Sequence, residues 1–505
     1  MPDIKVYRPG KPVSRGECTA GDTVLKYLSD NNIFLDAPCG GRGRCGKCLV
    51  RLSSGGEEVR ACQSVIAGDT DIYLPGDMEM EIAGGENSGP RAAGDGPLGV
   101  AVDIGTTTVV AHLTSLKTGE RLATASGVNA QRPYGADVIS RIQYCAANGH
   151  AQLTELIRAQ LRGLISRACS SAGAAPLDIS LISIAGNTIM EHLAAGLSPV
   201  GMGVAPFAPL SLFGSELPAG GDLGVSPEAS VYFAPAISSY VGGDITAGML
   251  AAGLEDTEGP CVYIDIGTNG EIAMKLGDRY ICCATAAGPA FEGAEISMGM
   301  AAVPGAVNHV AWDGSAVKFT TIGDAPAEGF CGSGLLDALA LLIRTGAVDE
   351  TGRLLPHGEA SGAIAEYLDA AGGKNIFRIA QGCDVCMDYA DVRKLQLAKS
   401  AIAAGIQTLM IHAGVSEGDI ASFVLAGGFG SYMDKDSAAA IGLFPKAFLP
   451  VARVVGNTAG EGAALALCSA GAREKLSAIR EKCEYIELST SPVFNEQFVE
   501  QMMFT

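Results

Sequence analysis

Apolar positions along this chain follow two rhythms. Short unbroken runs bounded by glycine-rich turns read as buried strands, and stretches in which apolar residues return every three or four positions read as helices. The run that organises the rest is Leu98–Leu113, LGVAVDIGTTTVVAHL: an apolar strand, an Asp-x-Gly-Thr turn and a second apolar strand. It returns in altered form at Cys261–Leu276, CVYIDIGTNGEIAMKL, about 160 residues later. Recurrence of one unit in the same strand context predicts two lobes of similar build, 98–250 and 251–480, within an α/β fold.

The same rhythm fills in each lobe. After the first turn it predicts a strand over 122–128, a helix from about Asp137, a second helix over 153–168 and a buried strand over 179–185. That strand ends in Gly186-Asn187-Thr188, at the carboxyl edge where α/β sheets place ligands. A strand over 231–236 leads through Ser238–Asp244 into a helix reaching Leu250. In the second lobe strands run to about Thr285, and GPAFEGAEISMGM forms a loop carrying Glu292 and Glu295. Gly332-Ser333-Gly334 precedes an apolar helix. A long helix follows from about Asp391 to His412, with Leu395, Ala398, Ile402, Ile406 and Leu409 on one face and Gly414 ending it. Strand 422–426 runs into Gly427-Gly428-Phe429-Gly430, strand 453–455 into GNTAGEGAALAL, and 481–505 reads as a C-terminal tail.

Residues 1–82 form a separate unit with a strand over 4–7, a short strand near Cys18 and a helix from about Thr23 capped by Asp22. Residues 83–97 are rich in Gly, Pro and Ser without apolar rhythm. They read as a flexible linker with an end-to-end spread on the order of 20 Å.

The two turns carry a chemistry of their own. A glycine in a tight strand-to-strand turn lets backbone N–H groups converge on an anion, neighbouring hydroxyls add donors, and the Asp can hold a hydrated divalent cation. Two such turns facing each other would clamp a nucleoside triphosphate.

Composition narrows the setting. The 505 residues are 48% hydrophobic with 67 Gly and one Trp, as in a compact α/β protein. A net charge of −20 argues against a general role on nucleic acid or an anionic membrane. No apolar run reaches the roughly 18 residues that cross a bilayer, and MPDIKVYRP is no signal segment, so the expected location is the cytoplasm. Fifteen cysteines in that setting argue for metal ligation at the clustered ones, the scattered ones serving as small buried hydrophobes.

The cluster lies in APCGGRGRCGKCLV, where Cys39, Cys45 and Cys48 stand at C-x5-C-x2-C and Cys62 follows in RACQS. Four thiolates from a glycine-rich loop suit an iron–sulfur cluster, because the glycines let the chain wrap closely and offer N–H groups to the sulfurs. Cys18 is the alternative fourth ligand, and structural zinc the alternative metal. The same loop matches G-x-G-x-x-G and the start of a P-loop. It neither follows a long buried strand nor opens a helix, and Cys48 stands where a P-loop needs a hydroxyl. The lone C-x2-C of Cys383 and Cys386 reads as structural.

The spacing around Cys39–Cys62 resembles two-iron ferredoxins of the β-grasp fold, with one residue more than the plant-type C-x4-C-x2-C. The two D-I-G-T turns, LAGGFG and GNTAGEG make residues 98 to about 470 similar to the ATPase superfamily of acetate and sugar kinases, heat-shock chaperones and actin. Together with IAGNTIMEHL, GPAFEGA and DVRKLQLAKSAI, the whole chain resembles the reductive activators of corrinoid-dependent methyltransferases and corrinoid proteins. It differs in lacking the separate middle domain expected between the ferredoxin and ATPase parts of longer members.

The resemblance implies an α/β, two-lobed actin-like ATPase preceded by a small α+β ferredoxin domain. It also implies an enzyme that uses ATP to reduce cob(II)alamin on a partner corrinoid protein to cob(I)alamin. A 2Fe-2S cluster on Cys39, Cys45, Cys48 and Cys62 would be the electron donor, itself reduced by a low-potential donor, and a homodimer is expected. By motif matching, Asp103 and Asp265 would hold hydrated Mg2+. Gly105, Thr106, Thr107 and Thr108, with Gly267, Thr268 and Asn269, would cradle the ATP phosphates. Gly427 and Gly428 would admit the adenosine, with Gly332, Ser333 and Gly334 nearby. Glu292 would orient the attacking water, unless it is only a loop salt-bridge former. Two rivals remain: a small-molecule kinase of the same superfamily, for which the clustered cysteines have no use, and a non-enzymatic redox sensor or docking protein with a vestigial nucleotide site.

Overall fold

The computed structural model describes residues 2–504 except 9–11, 32, 34, 36–42, 44–47, 76–93, 95, 220 and 429–432. Cys39 and Cys45 therefore lie outside the described residues, as do Phe429, Gly430 and all of the expected linker but 94, 96 and 97.

The N-terminal domain comprises β1 (Asp3–Tyr7), β2 (Ser14–Glu17), α1 (Val24–Asp30), β3 (Leu49–Arg51), β4 (Glu58–Arg60) and β5 (Thr70–Tyr73). The strands lie in the order β2-β1-β5-β3-β4, with β1 and β5 parallel. Alternation along β1 turns Ile4 and Val6 inward against Val24, Leu28 and Ile72, all fully buried. The cap of α1 differs from the sequence expectation. Thr23 Oγ1 accepts the Lys26 N–H at 3.2 Å, while Asp22 faces the Lys26 ammonium at 3.2 Å. A β-branched hydroxyl one residue nearer the helix reaches the free N–H that Asp22 cannot.

The first lobe runs through β6 (Leu98–Ile104), β7 (Thr108–Ser115), β8 (Arg121–Val128), α2 (Val138–Asn148), α3 (Ala151–Ala172), β9 (Ile179–Gly186), α4 (Thr188–Ala195), β10 (Glu216–Pro218), β11 (Ser230–Phe233) and α5 (Gly243–Ala251). Its sheet has the order β10-β11-β9-β6-β7-β8. The second lobe opens with β12 (Cys261–Ile266), β13 (Gly270–Leu276) and β14 (Arg279–Thr285). It continues through β15 (Ala306–Trp312), β16 (Val317–Thr321), β17 (Gly329–Phe330), α6 (Gly332–Arg344), β18 (Leu368–Ala371), β19 (Lys374–Arg378), β20 (Cys386–Asp388) and α7 (Tyr389–Ala413). Last come β21 (Ser422–Ala426), α8 (Lys435–Ala440), β22 (Ala452–Gly456), α9 (Thr458–Cys468), α10 (Ala470–Glu481), β23 (Cys483–Tyr485) and α11 (Pro492–Glu500). Its main sheet has the order β22-β21-β12-β13-β14-β23. In both lobes an antiparallel meander follows the D-I-G-T strand on one side and two parallel strands lie on the other, so the sequence repeat is a structural repeat. Between β14 and α7 the chain also builds two three-stranded sheets that the apolar rhythm did not reveal.

The lobes are joined by a crossing. Helix α5, from the first lobe's sequence, buries Ile245 and Met249 against Cys261, Tyr263 and Val424 of the second sheet. Helix α9 buries Ala459, Ala463 and Leu467 against Ala101 and Ala185 of the first. The two helices approach closely because Gly462 lacks a side chain: a methyl group there would stand 2.1 Å from the Ala247 carbonyl oxygen. The C-terminal residues are packed structure. Helix α11 lies on α7, with Lys399 Nζ donating to the Met503 carbonyl at 2.7 Å and Phe504 buried.

Candidate functional site

Both D-I-G-T turns open on one cavity of about 1110 Å³ between the lobes. Its wall holds Asp103 and Gly105 to Thr108 from the first turn, Asp265 and Gly267 to Asn269 from the second, and Glu292, Gly332, Ser333, Gly427 and Gly428. Gly334 is not on that wall. It lies under β15, where a methyl group would stand 2.1 Å from the Val307 carbonyl oxygen.

The first turn is held from behind through its carbonyls. Asn129 Nδ2 donates to Gly105 O at 2.8 Å, Arg141 Nη2 donates to Thr106 O, and the Asn129 N–H donates to Thr107 O at 2.8 Å. With those carbonyls occupied, what the turn offers the cleft is its N–H groups and hydroxyls. Asn187 Nδ2 adds a bond to Thr106 Oγ1 at 3.1 Å. Arg141 is fully buried on α2, and burial lowers it to about 9, so it remains a cation beneath the turn at neutral pH.

Glu292 joins the two halves. Thr268 Oγ1 donates to its Oε1 at 2.7 Å and Thr107 Oγ1 to its Oε2 at 3.3 Å. Among the described residues no cationic side chain is found within ion-pair distance of this carboxylate.

The floor of the cleft is acidic beyond what the motifs announced. Burial pushes Asp103 up to about 6 against the pull of the Asn457 amide, which donates to Asp103 Oδ2 at 2.7 Å. Burial, then the charge of Asp103, pushes Asp265 up to about 7. Burial, then Asp265 and Asp103, pushes Asp244 up to about 8. Glu271, directly opposite Asp265 across β12 and β13, is raised well above its ordinary range by burial and then by Asp244 and Asp265. Glu191 on α4 is raised likewise by burial and then Asp244, against the pull of the Gly186 and Gly243 backbones. Oxygen donors crowded together without a cationic side chain among them fit a hydrated divalent cation.

The glycines fit a bound nucleotide. A methyl group at Gly267 or Gly428 would meet nothing within 4 Å, so both face open cleft. Gly427 has φ +94°, and a methyl there would come 2.5 Å from Asp265 Oδ1.

Asn187, Asp244, Glu271 and Asn457 line the cleft without having been singled out as site residues, and Glu191, Asn129 and Arg141 support it. Asn187 and Asn457 each had a signal, as the first polar residue after an apolar strand. Asp244 had only its place at the start of a helix.

In the N-terminal domain, Cys48 and Cys62 flank the same end of the β3–β4 ladder. Leu49 pairs with Arg60, and the Ala61 N–H donates to Cys48 O at 2.7 Å. Two thiols so placed fit a shared metal centre whose other expected ligands, Cys39 and Cys45, lie outside the described residues. Cys18 is buried in the domain core. Leu49, next to Cys48, lines the same cavity as the D-I-G-T turns, together with Arg8, Leu35 and Leu74. Cys386 Sγ lies 3.9 Å from Met298 Sδ. Among the described residues no trio of His, Cys, Asp or Glu is placed to ligate a metal ion directly, the cleft carboxylates included, so a divalent cation there would be held through its waters.

Fold and site define a class: a two-lobed nucleotide-binding domain of the acetate and sugar kinase, chaperone and actin type, preceded by a ferredoxin-type domain. Comparison with known proteins gives the family. Residues 259–505 match the C-terminal, ASKHA domain of RACo, residues 98–257 the RACo middle region, and residues 13–69 the 2Fe-2S iron–sulfur cluster binding domain. The chain is 32% identical to the corrinoid activation enzyme RamQ of Eubacterium limosum, over 93% of this chain and 94% of that protein. It is 25% identical to the [Co(II) methylated amine-specific corrinoid protein] reductase of Methanosarcina barkeri, over 80% and 77%. A solved structure titled "Reductive activator for corrinoid,iron-sulfur protein" superposes with a TM-score of 0.72 at 29% identity, covering 99% of this chain and 98% of that one. The chain belongs to the RACo family. The expected absence of a middle domain is corrected: the residues that match the middle region build the first lobe itself, because the repeat needs them to complete its sheet.

Proposed function

We propose that this chain reductively activates a corrinoid protein, passing one electron from a 2Fe-2S cluster to cob(II)alamin on its partner and regenerating cob(I)alamin at the expense of ATP. The observation that carries the reading is the convergence of both D-I-G-T turns on one cleft in a chain that also places Cys48 and Cys62 at the same end of the β3–β4 ladder. The names of the family's relatives support the choice of partner.

When bound, the cluster supplies a one-electron carrier on Cys39, Cys45, Cys48 and Cys62. Each 59 mV or so of mismatch against cobalt costs a factor of ten in a one-electron equilibrium, so the nucleotide domain must favour one conformation over another. Gly105 to Thr108 and Gly267 to Asn269 would hold phosphates, Asp103 and Asp265 would hold the waters of Mg2+, and Gly427 and Gly428 would admit the adenosine. Glu292, already bonded to both turns, orients the attacking water and senses whether the lobes are closed. Positioning and electrostatics suffice for such chemistry. A low-potential electron donor, a homodimer and a cytoplasmic setting belong to the same proposal.

The test is an anaerobic mixture with a corrinoid protein, following the cob(I) absorption band with and without ATP. The preparation should carry two iron and two acid-labile sulfide per chain. Asp103→Ala should abolish ATP-dependent reduction while the cluster stays reducible. Equal cob(I) formation without any nucleotide would overturn the reading.

A further inference from the structure

We infer that His309 binds a ribose hydroxyl of the nucleotide and that Asp337 positions it for this; the inference rests on the nucleotide cleft proposed above. His309 lies on β15 and lines the same cavity as the phosphate turns, beside Asn308, Gly332 and Ser333.

Local packing fixes where the imidazole starts. Ser333 Oγ donates to the Asn308 carbonyl at 2.8 Å, and Gly334 allows the Val307 carbonyl to rest on the first turn of α6. The backbone at 307–309 is thereby pinned to that helix.

The ring itself is also held. His309 Nδ1 lies 3.1 Å from Oδ2 of Asp337, in the second turn of α6, and the same oxygen accepts the Val310 N–H at 3.3 Å. The Asp337 side chain is 6% exposed and its Oδ1 has no partner, whereas the His309 side chain is 57% exposed. Among the described residues, His309 is the one cationic or cationisable side chain within ion-pair distance of Asp337. A buried carboxylate that holds both the β15 backbone at Val310 and the exposed imidazole fixes the ring relative to its strand. With Nδ1–H assigned to that carboxylate, Nε2 is the acceptor of the uncharged tautomer. Nε2 has no partner among the described residues.

An acceptor on the cleft wall selects among the parts of a nucleotide. The triphosphate offers only acceptors. The donors are the ribose hydroxyls and the exocyclic amine of adenine. A half-exposed ring stands at a wet edge, where a sugar keeps part of its hydration, whereas a base is read in a drier slot. The geometry therefore favours the ribose.

The experiment compares KM for ATP, 2′-deoxy-ATP, 3′-deoxy-ATP and inosine triphosphate in ATP-dependent corrinoid reduction by the full chain, His309→Ala, His309→Gln and Asp337→Asn. One net hydrogen bond corresponds to about three- to ten-fold in KM. The wild type should prefer ATP to one deoxynucleotide by that factor. His309→Ala should raise KM for ATP by as much and abolish that preference. Asp337→Asn should weaken the preference at an unchanged melting temperature, which a merely structural role would not do. His309→Gln replaces a half-exposed side chain and guards against misfolding. An unchanged preference in both His309 variants would overturn the inference, as would a loss of discrimination confined to inosine triphosphate. A wild type indifferent to ATP would instead remove the nucleotide reading beneath it.

Discussion

Asn457 donates its side-chain N–H to Asp103 across 354 positions of sequence, at 2.7 Å. The bond ties the start of α9 to the end of β6, and α9 also packs on the first sheet through Ala459 and Ala463. The last motif of the chain thus orients the first aspartate of the nucleotide cleft. Asn457→Asp would replace a donor by a second carboxylate facing Asp103. KM for ATP should rise at least about ten-fold, the cost of one unfavourable charge contact in a poorly solvated site. Kinetics at fixed Mg2+ check this, and an unchanged KM would remove Asn457 from the site.

Gly427→Ala should weaken nucleotide binding more than its size suggests. The position has φ +94°, and the new methyl would press on Asp265 Oδ1 at 2.5 Å. Calorimetric titration with ATP should show at least a ten-fold loss, since strain of about 1–3 kcal/mol is added to a displaced ligand. Gly428→Ala meets nothing in the protein itself, so its cost would measure contact with the nucleotide alone.

The buried carboxylates set a pH dependence of definite sign. Asp103 at about 6, Asp265 at about 7 and Asp244 at about 8 all lie above their unfolded value of 3.8. Between those values the unfolded chain binds fewer protons than the folded one, so metal-free stability falls as pH rises from about 4 to about 8. Conversely, Mg·ATP should bind more tightly at pH 8 than at pH 6 and release protons on binding. Melting curves without metal from pH 5 to 8, and titrations in buffers of different ionisation enthalpy, measure both. A melting temperature flat across that range would contradict the assignment.

Glu292→Gln keeps the shape of a group that accepts from Thr107 and Thr268 but removes its charge. ATP hydrolysis should fall about 10²-fold while ATP still binds, the loss expected when a positioned base no longer orients water. Hydrolysis at the wild-type rate would leave Glu292 a mere brace between the turns.

Phe504→Ala should destabilise the second lobe by about 3 kcal/mol, as for a buried aromatic ring. Phe504 is 4% exposed, its N–H donates to Glu350 O at 2.9 Å, and Lys399 Nζ stands over its ring at 4.9 Å. Chemical denaturation would read the difference. A loss below about 0.5 kcal/mol, the ordinary surface value, would show that the end of the chain is not part of the core.

What could be read without coordinates was whatever depends on neighbours in sequence. The D-I-G-T turns announced themselves because an apolar strand must stop, reverse and restart within a few residues. The α7 stripe of Leu395, Ile402, Ile406 and Leu409 appeared because one helix face returns every turn. Cys45, Cys48 and Cys62 stood out because ligands for one centre cluster along the chain. Beyond this local grammar the reading failed. Nothing around residues 483–504 shows that β23 extends a sheet or that Met503 and Phe504 cover Lys399, since their partners lie about 100 or more positions away.

By itself, then, the sequence determined the repeat and its D-I-G-T turns, the candidate cluster cysteines and the class of chemistry, all encoded in short-range spacing. Only the tertiary structure decided that α5 and α9 exchange lobes, that Asp244, Glu271 and Asn457 join Asp103 and Asp265, and that Glu292 touches both turns. Those relations arise where strands of two separate sheets end face to face, and such a meeting is set by the packing of buried apolar surfaces rather than by any residue's neighbours in the chain.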